Sequence, residues 1–371
     1  MMLSKEYLRI PGPTPIPPRV LNAMNNPIIY HRSVEFGNVL GEIIENAKKI
    51  IKTSGDIFIF SSTGRGVMEA TLVNSISPGE RVLVLVNGNF GKIFADIIER
   101  FGAQVEILEF TWGEAVDINR FEDYLKNNRS IKAVFVIHCE TSTGVVNNIE
   151  AIGKITSKYG IISIIDAVSS LGGIEISMDE WGLDFVLTAS QKALMTPPGL
   201  GLVAVSSKGW KAVEKSTNSR YYWDFRMYKE AQNRIPKQTP FTSPVSLMLG
   251  LDEALKMIIE EGINNVIKRH FQVAKAFRDR MKSYGLNLFP KKEEWCSNTV
   301  TAVKSPKEVD SALIIKFLKE RFNLRIANGL GSLKDKTFRV GHMGYQAEEI
   351  ETRAVALAIK SVLEENINLN F

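Results

Sequence analysis

Ile161-Ile-Ser-Ile-Ile-Asp166-Ala-Val-Ser-Ser-Leu-Gly-Gly173 reads as a short buried strand that delivers a carboxylate at its C-terminal end. A buried aspartate needs a cationic or hydrogen-bonding partner. The next informative run supplies a lysine: Thr188-Ala-Ser-Gln-Lys192-Ala-Leu-Met-Thr-Pro-Pro-Gly199. A lysine in a loop is ordinarily just solvated. Set after an aspartate on a preceding strand end, it matches the needs of a pyridoxal phosphate site. There a lysine forms the Schiff base, and an aspartate keeps the pyridine nitrogen protonated so that the ring acts as an electron sink.

Outward from these two runs, short apolar stretches alternate with amphipathic ones. Strands are expected over residues 57–60, 81–86, 105–109, 133–138, 162–166, 184–188 and 202–206, and helices over 90–101 and 149–159. This alternation predicts an α/β domain with a mostly parallel sheet, whose ligands gather beyond the carboxyl ends of the strands. After Thr242-Ser-Pro-Val-Ser-Leu-Met-Leu the character changes. A long helical region through residue 284 leads into strands at 298–303 and 337–340 and helices at 311–321 and 347–363, which reads as a smaller α+β domain. The expected division is an N-terminal arm (1–15), a large domain (16–261) and a small C-terminal domain (262–371).

Length and composition narrow the function classes. A chain of 371 residues exceeds what one core usually holds, and 44% hydrophobic with 23% charged residues describes an ordinary globular protein. The net charge of +5 is scattered among acids, with no basic block interleaved with aromatics, so nucleic-acid binding is not expected. Cys139 and Cys296 form no disulfide framework or zinc cage, and the four histidines show no ligand spacing, so no metal is expected. No apolar run reaches membrane-spanning length and the N-terminus lacks a signal-like core, so a cytoplasmic protein without a membrane partner is expected.

Three further stretches carry chemistry. Ser61-Ser-Thr-Gly-Arg-Gly-Val-Met-Glu-Ala70 follows a strand and opens a helix, where free backbone N–H groups and the positive dipole end can seat a phosphate. An N-cap alone also explains it. A dinucleotide fingerprint does not, because Glu69 stands where a third glycine is needed and no acid ends the next strand. In Asn87-Gly-Asn-Phe-Gly91, Phe90 is placed near the sheet's edge, either as core or to stack on a planar ligand. His138-Cys-Glu-Thr-Ser-Thr-Gly144 brings hydroxyls and a turn glycine to another strand end. In Phe338-Arg-Val-Gly-His-Met-Gly344, Arg339 suits either an internal ion pair or the bidentate capture of a substrate carboxylate.

Taken in order, these runs, with Pro11-Gly-Pro, Pro197-Pro-Gly and Gln238-Thr-Pro-Phe-Thr, closely resemble the fold-type I, class V pyridoxal-phosphate aminotransferases of the alanine–glyoxylate / serine–pyruvate group. The resemblance runs through nearly the whole chain. It implies that Lys192 is the Schiff-base lysine and Asp166 the partner of the pyridine nitrogen. Val168 would pack under the ring and Phe90 stack on it. Thr63, Gly64 and Gln191 would hold the phosphate, and Thr141 would approach the ring oxygen. Thr242 and Thr239 match residues that a partner subunit contributes, which implies a homodimer with shared active sites. Arg339 matches the substrate-carboxylate arginine and Gly12 a backbone contact from the arm. Arg65 departs from relatives that carry histidine or threonine there; it could serve the phosphate or a second substrate carboxylate.

The activity so implied is a ping-pong transfer of an amino group from alanine or serine to glyoxylate or pyruvate. Aspartate or phosphoserine as donor is the alternative. A cysteine desulfurase fits poorly, since Gln191 precedes the lysine where those enzymes usually carry histidine. A nicotinamide oxidoreductase fails on the fingerprint. A non-catalytic role on the same scaffold is disfavoured by the joint presence of Lys192, Asp166 and Arg339.

Overall fold

The computed structural model describes residues 6–307 and 309–365. Residues 1–5 of the expected arm and 366–371 of the expected small domain lie outside them. The strands are β1 (Tyr7–Leu8), β2 (Asp56–Ser62), β3 (Arg81–Val86), β4 (Gln104–Glu109), β5 (Ala133–Ile137), β6 (Cys139–Glu140), β7 (Val145–Val146), β8 (Ile162–Asp166), β9 (Phe185–Ala189), β10 (Gly199–Val205), β11 (Val300–Lys304), β12 (Leu324–Arg325), β13 (Ala327–Asn328) and β14 (Thr337–Gly341). The helices are α1 (Pro18–Met24), α2 (Val34–Ile51), α3 (Gly64–Ser75), α4 (Asn89–Arg100), α5 (Ile118–Asn127), α6 (Ile149–Lys158), α7 (Ser207–Lys215), α8 (Phe225–Gln232), α9 (Val245–Glu261), α10 (Ile263–Ser283), α11 (Ser311–Phe322) and α12 (Glu349–Glu365).

Seven strands form the central sheet in the order β2-β10-β9-β8-β5-β3-β4. Only β10 runs against its neighbours β2 and β9; the other pairings are parallel. Because side chains alternate along a strand, each strand feeds both faces. Ile57 and Ile59 of β2 join one apolar cluster with α2 and α9, while Phe58 and Phe60 join the other with α3, α4 and α8. Burial on both faces explains why these strands read as continuous apolar runs rather than alternating ones.

Several boundaries differ from expectation for local reasons. The strand expected at 184–188 is Phe185–Ala189, because the buried Asp184 carboxylate is spent on Ser163 N–H (3.0 Å) and Ser206 Oγ–H (3.0 Å). The strand expected at 202–206 starts earlier, at Gly199, which pairs with Ser62. The long helical region is two helices broken at Gly262, whose φ of 82° is the left-handed region that glycine tolerates. Helix α9 packs on α1 and α2, whereas α10 packs on α12. A second sheet, β11-β14-β13, backs a third apolar cluster that includes Phe277, Ile314, Phe338 and Ile359.

The N-terminal segment is tied to the elements around this second sheet. Its β1 pairs in parallel with β12, Tyr7 opposite Leu324 and Leu8 opposite Arg325. Gly341 N–H then donates to Arg9 O at 2.7 Å, and the Arg9 guanidinium pairs with Glu351 on α12.

Candidate active site

The carboxyl ends of β2, β3, β5, β8 and β9 share one edge of the sheet, and a cleft of about 280 Å³ opens there. Thr63, Gly64, Arg65, Phe90, Thr141, Asp166, Val168, Gln191 and Lys192 all line it. Ile137 sits opposite Asp166 in the parallel β5–β8 pairing, so the carboxylate emerges at the strand end. Met68, Ile137, Cys139 and Ser169 complete the lining and were not singled out as site residues from the sequence.

At one end of the cleft, α3 begins. Thr63 Oγ1 caps Gly66 N–H, and the amides of Gly64 and Arg65 fall in the first turn, where an α-helix offers no acceptor. A Cβ on Gly64 would lie 3.1 Å from Val168 Cγ2, and one on Gly66 would collide with Ser62 Oγ. Glycine therefore lets this turn press against the residue expected under the ring. Arg65 is exposed, and among the described residues it has no carboxylate partner, which leaves its charge available to an anion in the cleft.

Asp166 is buried. Its Oδ1 accepts Val168 N–H at 2.7 Å. Burial pushes the carboxyl up to about 7, with the Glu140 charge adding to the rise while the Val168 hydrogen bond and Lys192 oppose it. Such a carboxyl gains from a cationic partner. Lys192 moves the other way. Burial first, and then the Arg339 charge, bring its amine down to about 8. A lysine so shifted holds a useful neutral fraction near physiological pH. Its Nζ donates to Pro11 O, and a Cβ on Gly12 would lie 2.6 Å from Lys192 Cδ at a φ of 110°. The arm is held over the lysine by Thr14, whose N–H donates to Gln191 O and whose Oγ1 donates to Lys192 O.

Arg339 is buried without a carboxylate partner among the described residues. Its Nε and Nη2 both donate to Asn328 O (3.0 and 2.8 Å), and Nη1 donates to Thr141 O (3.1 Å). Burial lowers the guanidinium to about 10, and the Glu140 charge works against that fall. The ion-pair explanation for this arginine therefore finds no internal acid. Thr141 Oγ1 donates to Ser169 Oγ at 2.6 Å, and Ser169 O accepts Thr299 Oγ1–H at 2.6 Å, which ties the cleft to the residue just before β11. Gln191 Oε1 is buried with no partner among the described residues.

Four expected residues are not among those lining this cleft: Gly12 and Arg339 meet it only through Lys192 and Thr141, and Thr239 and Thr242 do not reach it. Thr239 Oγ1 is engaged with Phe241 O (2.8 Å) and Ser243 Oγ (2.9 Å), and Thr242 is exposed. A larger recess of about 1060 Å³ lies elsewhere, between α2 and residues 232–237, and contains none of the groups above. No cluster of metal-ligating side chains occurs among the described residues. No helix among them is long and apolar enough to cross a membrane.

The profile of the family described as Aminotransferase class-V matches residues 6–349. An L-aspartate–glyoxylate aminotransferase of Paracoccus denitrificans is 36% identical, covering 96% of this chain and 91% of its own. A serine–glyoxylate aminotransferase of Arabidopsis thaliana is 36% identical over 97% of this chain and 91% of its own. The solved alanine–glyoxylate aminotransferase of Nostoc sp. superposes with a TM-score of 0.94 at 30% identity, over 98% of this chain and 96% of that one.

Proposed function

The chain belongs to the class-V aminotransferases, and on that premise we propose that it uses pyridoxal phosphate to move an amino group from alanine or serine to glyoxylate or pyruvate. The observation that carries the reading is the cleft in which a helix N-terminus, a buried aspartate and a lysine of lowered basicity meet. These groups suit the cofactor's three functional ends. The α3 amides with Arg65 suit a phosphate, Asp166 a protonated ring nitrogen, and Lys192 an aldehyde carbon. Phe90 and Val168 would flank the ring, and Thr141 would approach its oxygen. When bound, the cofactor supplies an electron sink for charge developing at the substrate Cα.

The chain's own residues then do the following. Arg339 orients the substrate by its carboxylate, since its carbonyl partners leave its charge unneutralised. Asp166 holds the proton of the ring nitrogen. Lys192 takes and returns protons at Nζ as general base and acid. Gly12 and Pro11 close the arm over that amine and limit its access to water.

All three relatives are named for glyoxylate, whereas the amino acids in their names differ, so the donor is where the readings part. Among alanine, serine and aspartate, a dicarboxylic donor is favoured by Arg65, which has no carboxylate partner among the described residues. The proposed assembly is a homodimer. Its support is that Thr239 and Thr242 do not reach their own cleft and that Ile235 (100% exposed), Ile28 (77%) and Tyr30 (64%) leave apolar surface uncovered. The division into large and small domains at 261–262 rests on Gly262 and on the separate packing of α9 and α10. Two unpaired cysteines fit a cytoplasmic setting. The test is the visible spectrum of the purified protein before and after alanine, serine or aspartate, followed by kinetics against glyoxylate and pyruvate. A protein whose absorbance ignores every amino acid would end the reading.

A further inference from the structure

Helix α4 carries Phe90 in its first turn, yet its N-cap is Gly88, which has no side chain to offer. The three amides that a cap would satisfy are answered from 50 residues away. Asn89 N–H donates to Ser142 Oγ at 2.9 Å, while Phe90 N–H (3.0 Å) and Gly91 N–H (3.1 Å) both donate to Glu140 Oε2. The second carboxylate oxygen, Oε1, accepts Ser142 N–H (3.0 Å) and Ser142 Oγ–H. Glu140 is fully buried, and a Cβ on Gly88 would collide with its side chain. Four hydrogen bonds converge on one carboxylate and favour its ionised form, against the burial that raises its carboxyl. The negative charge also sits at a helix N-terminus, where the dipole favours it.

We propose that Glu140 is a positioning residue for the reaction: by capping α4 from the turn after β5, its carboxylate fixes the Phe90 ring at the cofactor seat. The inference rests on the pyridoxal phosphate reading above. The capped turn is the one that sends Phe90 into the cleft, and the capping turn is the one that brings Thr141 to it. One carboxylate therefore sets the spacing between the stacking ring and the hydroxyl expected near the ring oxygen. Its charge reaches the site's ionic groups as well, raising the Asp166 carboxyl and supporting the Arg339 cation.

Glu140→Gln preserves size but turns one acceptor oxygen into an NH2 group, so one pair of donors faces another donor. Pyridoxal phosphate affinity and the visible circular dichroism of the bound cofactor are read in wild type, Glu140→Gln, Phe90→Leu and the double variant, with thermal unfolding as a control. Glu140→Gln is expected to weaken affinity about two- to tenfold, the worth of one stacked ring pair, and to diminish the dichroism. In the Phe90→Leu background the same change should cost less than about twofold, because the ring it serves is gone. If Glu140→Gln does not fold, Gly88→Ala, which displaces the same carboxylate without removing its charge, enters the same cycle. An equal loss with and without Phe90, or unchanged affinity and dichroism, would overturn the proposal while leaving the functional reading intact. A wild type that takes up no pyridoxal phosphate would overturn both.

Discussion

In the proposed reaction Lys192 would concentrate attachment and proton transfer in one amine, so Lys192→Ala should lower turnover by at least about 10²–10⁴-fold, the share of one positioned proton-transfer group. Single-turnover kinetics with alanine check this, and wild-type turnover without added amine would remove Lys192 from the mechanism. Asp166 offers a test that separates function from stability. Its folded carboxyl is raised to about 7 from an ordinary value of 3.8, so its contribution is fully present below 3.8 and lost as pH rises through 7. Asp166→Asn should therefore make the cofactor-free protein more resistant to urea at pH 8, with no gain at pH 3.5, while turnover falls by orders of magnitude. Equal urea midpoints for the two proteins at pH 8 would contradict it. Arg339→Leu should weaken every substrate alike by about ten- to a hundredfold, because all share the α-carboxylate and a charge-assisted pair is worth about 1.5–3 kcal/mol. Arg65→Ala should instead weaken cofactor binding if it serves the phosphate, or aspartate alone if it receives a second carboxylate; affinities for alanine and aspartate at saturating cofactor separate these. The lysine and the aspartate were legible because each stands at the end of a recognisable strand. Glu140 was not, because a glutamate among turn hydroxyls reads as turn chemistry until the amides of residues 89–91 are brought to it.

The arm is the element whose role the sequence left thinnest. Pro11-Gly-Pro could be read as a turn, but nothing local announces that Tyr7–Leu8 forms a strand beside Leu324–Arg325. Parallel pairing across more than 300 residues has no local signature. The same holds for β10, which any apolar-run reading assigns to the sheet but whose reversed direction depends on the whole connection through residues 190–198. Burial and strand identity were legible from apolar runs; direction and exact ends were not, because caps such as Asp184 compete for the boundary residues. Deleting residues 1–9 should remove the β1–β12 pairing and the Arg9 bond to Gly341, and so loosen the cover over Lys192. Turnover should fall severalfold while the central sheet stays folded. Circular dichroism together with alanine kinetics measures this, and unchanged turnover in the truncated protein would show that the arm is dispensable.

At the scale of the molecule, burial holds three histidines neutral: His138 at about 3, His270 at about 4 and His342 at about 3. His270 Nε2 accepts Gly344 N–H at 2.9 Å, so Nδ1 carries the proton and donates to Val266 O at 2.7 Å, and a second proton has no place. Depressed values mean that their contribution is present above about 6.5 and lost as pH falls toward 4, by up to about 1.4 kcal/mol per pH unit for each group. Asp166 and Glu140 pull the other way, since burial raises both. Urea midpoints at pH 7 and pH 4.5 should nonetheless show a marked acid weakening, and a flat profile would mean that the carboxyls cancel the imidazoles. The β1–β12 pairing has a further consequence for how the protein is made. The ribosome releases Tyr7 and Leu8 well before their hydrogen-bonding mates at 324–325, which follow more than 300 residues later. At about 5–20 residues per second the first strand waits tens of seconds without its neighbour. During that wait the lysine pocket lacks the backing that anchors its cover, so a nascent chain should become competent to hold the proposed cofactor securely only once residues 324–325 have emerged.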